Sequence, residues 1–133
     1  MRAESQGFLV KAERALRAGQ ILLREADAES AVGRAYYAML HTAQALLREK
    51  DLRYRKHSGV HSPFGEHFVK TGNMDPKFHR WILAAFNNRL KGDYDFDAAI
   101  DSETAALTLE HAGEFLREAK HYLQTATPPE SAD

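Results

Sequence analysis

Over residues 30–50, SAVGRAYYAMLHTAQALLREK, apolar side chains recur with the period of an α-helix. At about 100° per residue, Val32, Ala35, Tyr36, Met39, Leu40, Ala43, Leu46 and Leu47 share one broad apolar arc. Arg34, Tyr37, His41, Gln44 and Arg48 share a narrow stripe opposite. A helix with one arc so fully committed needs other helices to cover it, which points to an all-α fold. Ala38 and Ala45 fall at the edge of the polar stripe, where a face meeting only water would carry longer side chains. They suggest close approach by a second helix or a ligand, and a two-fold homodimer is the expected arrangement. The alternative is a solvated polar face on a core helix.

A chain of 133 residues and 15.0 kDa can bury one real core, so a single domain over residues 1–125 is expected, with residues 126–133 as a disordered tail. Hydrophobic content of 44% and charged content of 28% exclude global disorder. The absence of cysteine excludes disulfides, thiolate chemistry and Cys-based zinc sites. No apolar run approaches the ~20 residues of a membrane span, so a cytoplasmic protein without membrane contact is expected. With a net charge of −1, any nucleic-acid contact must come from a local basic patch.

Helical signals account for the rest of the chain. Residues 3–25 form a first helix with Phe8, Ala12, Ala15, Leu16, Leu22 and Leu23 inward, and Gly19 on that side marks a close helix crossing. Asp27 is the expected cap of the second helix, and the short break before it makes the two antiparallel. A short third helix ends near Lys70, capped either by Ser58 or by Ser62 with Pro63 in the first turn. Asp75 and Pro76 start a fourth, with Phe78, Ile82 and Ala85 inward and a loop from Gly92. Asp101 or Ser102 starts a fifth, in which Ala105, Leu109, Ala112, Leu116, Ala119 and Leu123 follow the 4-3 alternation of a bundle seam. The parts add up to an up-and-down antiparallel bundle of four long helices and one short one. No strand, glycine-rich phosphate loop or nucleophile elbow is present.

Residues 48–61 hold the one basic cluster, Arg48, Lys50, Arg53, Arg55, Lys56 and His57 around Tyr54. A base could stack on Tyr54 while cations such as Arg55 meet phosphate, or the segment is a solvated loop neutralised by Glu49 and Asp51. His57, His61 and His67 lack the carboxylate or cysteine that would complete a ligand set, so no metal is expected, and no cofactor. Arg89 continues the inner stripe of the fourth helix and therefore needs a partner or an exit to solvent. Asp93 is a candidate partner, and the same arginine could instead reach the groove that holds Arg34.

The blocks AVGRAYYAMLHTAQALLREK, HSGVHSPFGEHFVKTG and NNRLKGDYDF resemble the prokaryotic HEPN domain, and more closely its small stand-alone proteins, over residues 5–123. RAYYAMLH and the R-x3-DY of Arg89, Asp93 and Tyr94 carry the likeness together. The resemblance implies an up-down bundle that dimerises and is often encoded beside a minimal nucleotidyltransferase in a toxin–antitoxin-like pair. It also implies nucleotide or RNA binding, and in many members metal-independent ribonuclease activity. Carried over to this chain, the binding candidates are Arg34, Tyr37, His41, Arg89, Asp93, Tyr94, Tyr54 and Arg55.

The R-N-x-x-x-H pattern of ribonuclease members falls here on Asn87 to Gly92, with Asn87 in place of the arginine and Gly92 in place of the histidine. Gly92 can supply neither acid nor base. Arg34 and His41 lie two turns apart on one helix face and are the remaining catalytic candidates. Three functions follow as expectations: a nucleotide- or RNA-binding module paired with a nucleotidyltransferase, a ribonuclease toxin using Arg34 and His41, or a helical adaptor. Protonation of His41 near its ordinary value of about 6.5 would strengthen anion binding.

Overall fold

A computed structural model describes residues 1–96 and 99–126, and every helix expected from the sequence is present. Helix α1 runs Ala3–Arg24, α2 Ala28–Glu49, α3 His61–Phe64, α4 Pro76–Tyr94 and α5 Ser102–Ala126. The tail beyond Ala126 lies outside the described residues, as do two residues of the α4–α5 connection. Glu4 of α1 pairs with Arg48 of α2, while Gly19 packs against Ala31 and Arg34, so α1 and α2 run antiparallel. Gly92 lies on Glu29 and Arg89 on Tyr36 and Tyr37, and Lys77 and Trp81 of α4 meet Glu114 and His111 of α5. The long helices alternate up and down.

Local chemistry sets the helix starts. The Asp27 carboxylate accepts from the Ser30 N–H at 3.1 Å, Asp75 from Lys77 at 2.9 Å ahead of Pro76, and Asp101 from Thr104 at 2.7 Å. The α5 seam is buried from Ala105 to Leu123, and Met39, Ile82, Leu109 and Leu116 share one core cluster. Gly19 is a close crossing: a Cβ there would stand 2.6 Å from Leu109 Cδ2, 3.2 Å from Arg34 Cβ and 3.3 Å from the Ala31 carbonyl oxygen.

Four details differ from the sequence expectation. Helix α1 buries Ser5, Leu9, Ala12, Ala15 and Gly19, which turns Phe8, Leu16, Leu22 and Leu23 to half-buried flanks. Ala38 and Ala45 are 0% exposed within the single chain. Helix α2 is the central helix, in contact with α1, α4 and α5, and these alanines let its own neighbours close in. They are not a seam for a second copy. Neither Ser58 nor Ser62 caps the short helix. Instead a 3₁₀ turn over His57–Val60 leads into α3, which widens to a π turn over Gly65–Val69 closed by Lys70 N–H to Gly65 C=O at 2.9 Å. Pro63 offers no N–H to the carbonyl four residues back, and Gly65 lets the His79 ring approach to 3.1 Å of where a Cβ would sit. Finally, α4 continues through Gly92 to Tyr94, where Asp95 N–H bonds to Lys91 C=O.

Candidate functional site

Spacings of three and four place Arg34, Tyr37 and His41 in one line along α2. Tyr37 is half-buried where α2 meets the C-terminal half of α4, and two guanidinium groups converge on it. Arg34 Cζ lies 4.8 Å from its ring centroid and Arg89 Cζ 5.1 Å, with Arg89 also 5.6 Å from the Tyr36 ring. Arg89 Nε is tied to Asp93 Oδ2 at 3.3 Å. Arg89 thus does both things expected of it: it is held by Asp93 and it shares a site with Arg34. Arg34 itself has no carboxylate partner among the described residues. Two like charges on one ring with a single carboxylate between them leave a positive field that suits an anion.

His41 stands one turn further along. Its ring lies 6.1 Å from Phe8 and 6.2 Å from Tyr37, inclined at 29° and 32°. Its Nδ1 is 3.1 Å from Gln44 Oε1, the geometry of a neutral ring donating from Nδ1 and keeping the Nε2 lone pair. Burial lowers the His41 pKa below its ordinary value; the Gln44 contact opposes this, and Lys11, His57 and Arg34 push it further down. It therefore titrates below the value expected from an unperturbed imidazole. The His57 ring meets Tyr37 edge-on at 5.6 Å.

The opposite wall comes from α1. Lys11, Arg14, Ala15 and Ala18 join Arg34 and His41 around a depression of about 350 Å³ whose lining contains no carboxylate. Acids nearby are committed elsewhere: Glu13 pairs with Lys120, and Glu4 with Arg48 and Arg53. Lys11 and Arg14 were missed in the sequence, although a signal exists: Arg14 has Val10, Lys11, Arg17 and Ala18 as its helical neighbours, none of them acidic.

The other candidates are not brought together. Tyr54 packs against the core, and neither Tyr54 nor the exposed Arg55 makes a ring contact, hydrogen bond or ion pair with the Tyr37 group. The basic cluster disperses into contacts of Arg48 and Arg53 with Glu4, Arg53 with Asp51, and Lys50 with the His67 carbonyl. Tyr94 is 82% exposed. Among the described residues no group of three or more potential ligands is placed to hold a metal. A groove of about 560 Å³ elsewhere, between the His57–Val69 segment and α4, contains none of the predicted residues. At Gly92 a Cβ would stand 2.7 Å from Glu29 Cγ, so Glu29 fills the space beside the position where ribonuclease relatives are expected to carry histidine.

Comparison with known proteins agrees with this architecture. Two relatives in Methanocaldococcus jannaschii bear the name "Putative toxin". One is 36% identical over 120 residues, 90% of this chain and 82% of its own, and the other 38% over 110 residues, 83% and 82%. A UPF0332 protein of Gloeobacter violaceus is 32% identical over 124 residues, 92% of this chain and 98% of its own. No helix among the described residues is long and apolar enough to cross a membrane. The HEPN domain matches residues 5–123, and the chain belongs to the HEPN-domain family.

Proposed function

We propose that this HEPN protein binds the phosphate groups of nucleotides or RNA at Arg34, Tyr37, His41 and Arg89, as one partner of a toxin–antitoxin-like pair. The observation that carries the reading is the convergence of two guanidinium groups on Tyr37 beside a depression lined by cations alone. A guanidinium holds phosphate through two parallel hydrogen bonds, and a lysine cannot reproduce that fork. The test is to titrate wild type and Arg34→Lys with nucleotides and short RNA at fixed salt, alongside melting curves. Weaker binding by a fully folded Arg34→Lys supports the reading; equal affinity, or no binding by the wild type, refutes it.

The toxin names of the relatives and the family resemblance support a partnered role, with a minimal nucleotidyltransferase as the partner and a homodimer as the working state. Sedimentation at high micromolar concentration tests the dimer, and a 15.0 kDa species there refutes it.

One observation favours ribonuclease activity as a second reading: neutral His41 and unpaired Arg34 line the same depression. His41 Nε2 would take the 2′-hydroxyl proton as that oxygen attacks the adjacent phosphorus. The bond to the 5′-oxygen breaks, that oxygen takes a proton from water, and Arg34 offsets charge on the phosphorane. Cleavage by wild type in the presence of a chelator, abolished in His41→Gln, would establish it.

A further inference from the structure

Resting on the phosphate-binding reading above, we infer that Lys11 and Arg14 of α1 form a second phosphate subsite, so that the site takes a single-stranded nucleic acid rather than a mononucleotide. Three ring systems follow one another across the α1–α2 surface, Phe8, His41 and Tyr37, separated by steps of 6.1 and 6.2 Å and inclined at 29° and 32°. Cations flank both ends. Lys11 Nζ lies 5.7 Å from the Phe8 ring centroid, and Arg34 and Arg89 lie 4.8 and 5.1 Å from that of Tyr37. Aromatic faces interleaved with cations are the arrangement that holds successive bases and phosphates of a single strand.

One phosphate cannot serve both ends. A charge-assisted hydrogen bond spans about 2.7–2.9 Å, whereas two ring-to-ring steps separate Phe8 from Tyr37. A mononucleotide meeting Arg34 and Arg89 therefore leaves Lys11 and Arg14 unused. A strand continuing past Tyr37 carries its next phosphates over His41 toward the depression that Lys11 and Arg14 line. A duplex keeps its bases stacked on each other and cannot offer them to these rings.

The experiment measures binding of AMP, a single-stranded adenylate of about eight nucleotides, its DNA counterpart and an RNA duplex, by calorimetry over a salt series. The proteins are wild type, Lys11→Gln/Arg14→Gln and Arg17→Gln; all three replaced residues are exposed, and melting curves confirm folding. Wild type is expected to bind a single strand on the order of tenfold or more above AMP, and above the duplex. The double variant should lose most of that advantage and lower the salt slope by about 1.4, two contacts at ~0.7 each, with AMP affinity unchanged. Arg17→Gln should change neither. The RNA and DNA arms tell which sugar the strand carries.

Equal affinity for AMP and the strand overturns the second subsite. So does an unaffected double variant, or an equal effect of Arg17→Gln, which would reflect bulk charge. In those cases the AMP site at Arg34 still stands. No binding of any probe by wild type overturns the phosphate-binding reading and the subsite with it.

Discussion

Gly92 and Glu29 show how much a single position can decide. The helix passes through Gly92 because hydrogen is the largest substituent that leaves Glu29 Cγ room, at 2.7 Å from a would-be Cβ. Gly92→His should therefore destabilise the fold by about 1–3 kcal/mol, and Glu29→Ala in the same chain should recover most of the loss, as read by urea midpoints. Tyr36 gives a second test. Its buried hydroxyl is 2.9 Å from His61 Nε2, and burial pushes the phenol up to about 12, so it keeps its proton at any physiological pH. Tyr36→Phe leaves that ring nitrogen unpaired and should cost about 1–3 kcal/mol. At this scale the sequence was informative wherever spacing dictates contact. Arg89 and Asp93 are four apart on a helix and pair, and Arg34, Tyr37 and His41 form one line. Contacts between helices were hidden: Arg89 against Tyr37, and Lys11 and Arg14 beside Arg34, depend on how helices dock, which one helix period cannot encode.

Among the elements, α2 is the one the others are built around, and Gly19 of α1 is where its neighbours come nearest. An alanine at Gly19 would gain about 1 kcal/mol of helix propensity but would press on Leu109, Arg34 and the Ala31 carbonyl, costing about 1–3 kcal/mol. Gly19→Ala should melt lower than wild type, and since Arg34 Cβ is one of the atoms displaced, its ligand affinity should fall too. Caps and the 4-3 seam of α5 were readable because they are local chemistry: a carboxylate meets the N–H two or three residues on. The α1 face was misplaced by about one position because Leu9, rather than Phe8, is the residue that turns inward. The alanines of α2 carried a true signal of close approach with the wrong partner, since a small residue admits any neighbour, including one from its own chain. The changing pitch of the His57–Val69 segment was not legible at all, because it answers to His79 of α4 and to a missing N–H.

For the whole molecule, acid should be the weak direction. Burial lowers the pKa values of His41, His61 and His111 from 6.5. The unfolded chain then takes up protons first, so their contribution to stability is complete above about 6.5 and is lost as pH falls below it. Glu4, Asp27, Asp51 and Asp101, held below their ordinary values chiefly by hydrogen bonds from Arg53, Ser30, Arg53 and Thr104, act in the same sense further down. Thermal midpoints should fall steadily from about pH 7.5 to about pH 5, with no reversal. Bound phosphate should soften the first part of that decline, because an anion favours protonated His41. The order in which the architecture assembles follows from how α1 and α2 are joined. They meet across three residues and share the most extensive interhelical contact, so closing that hairpin costs little loop entropy, while α4 and α5 must return over long stretches of chain. Native-state hydrogen exchange should show the amides of α1 and α2 opening last and those of α4 earlier. Half of the cation cluster would then outlive the other: during partial opening Lys11, Arg14 and Arg34 stay together while Arg89 departs, and the protein would release its ligand by loosening one helix rather than by unfolding.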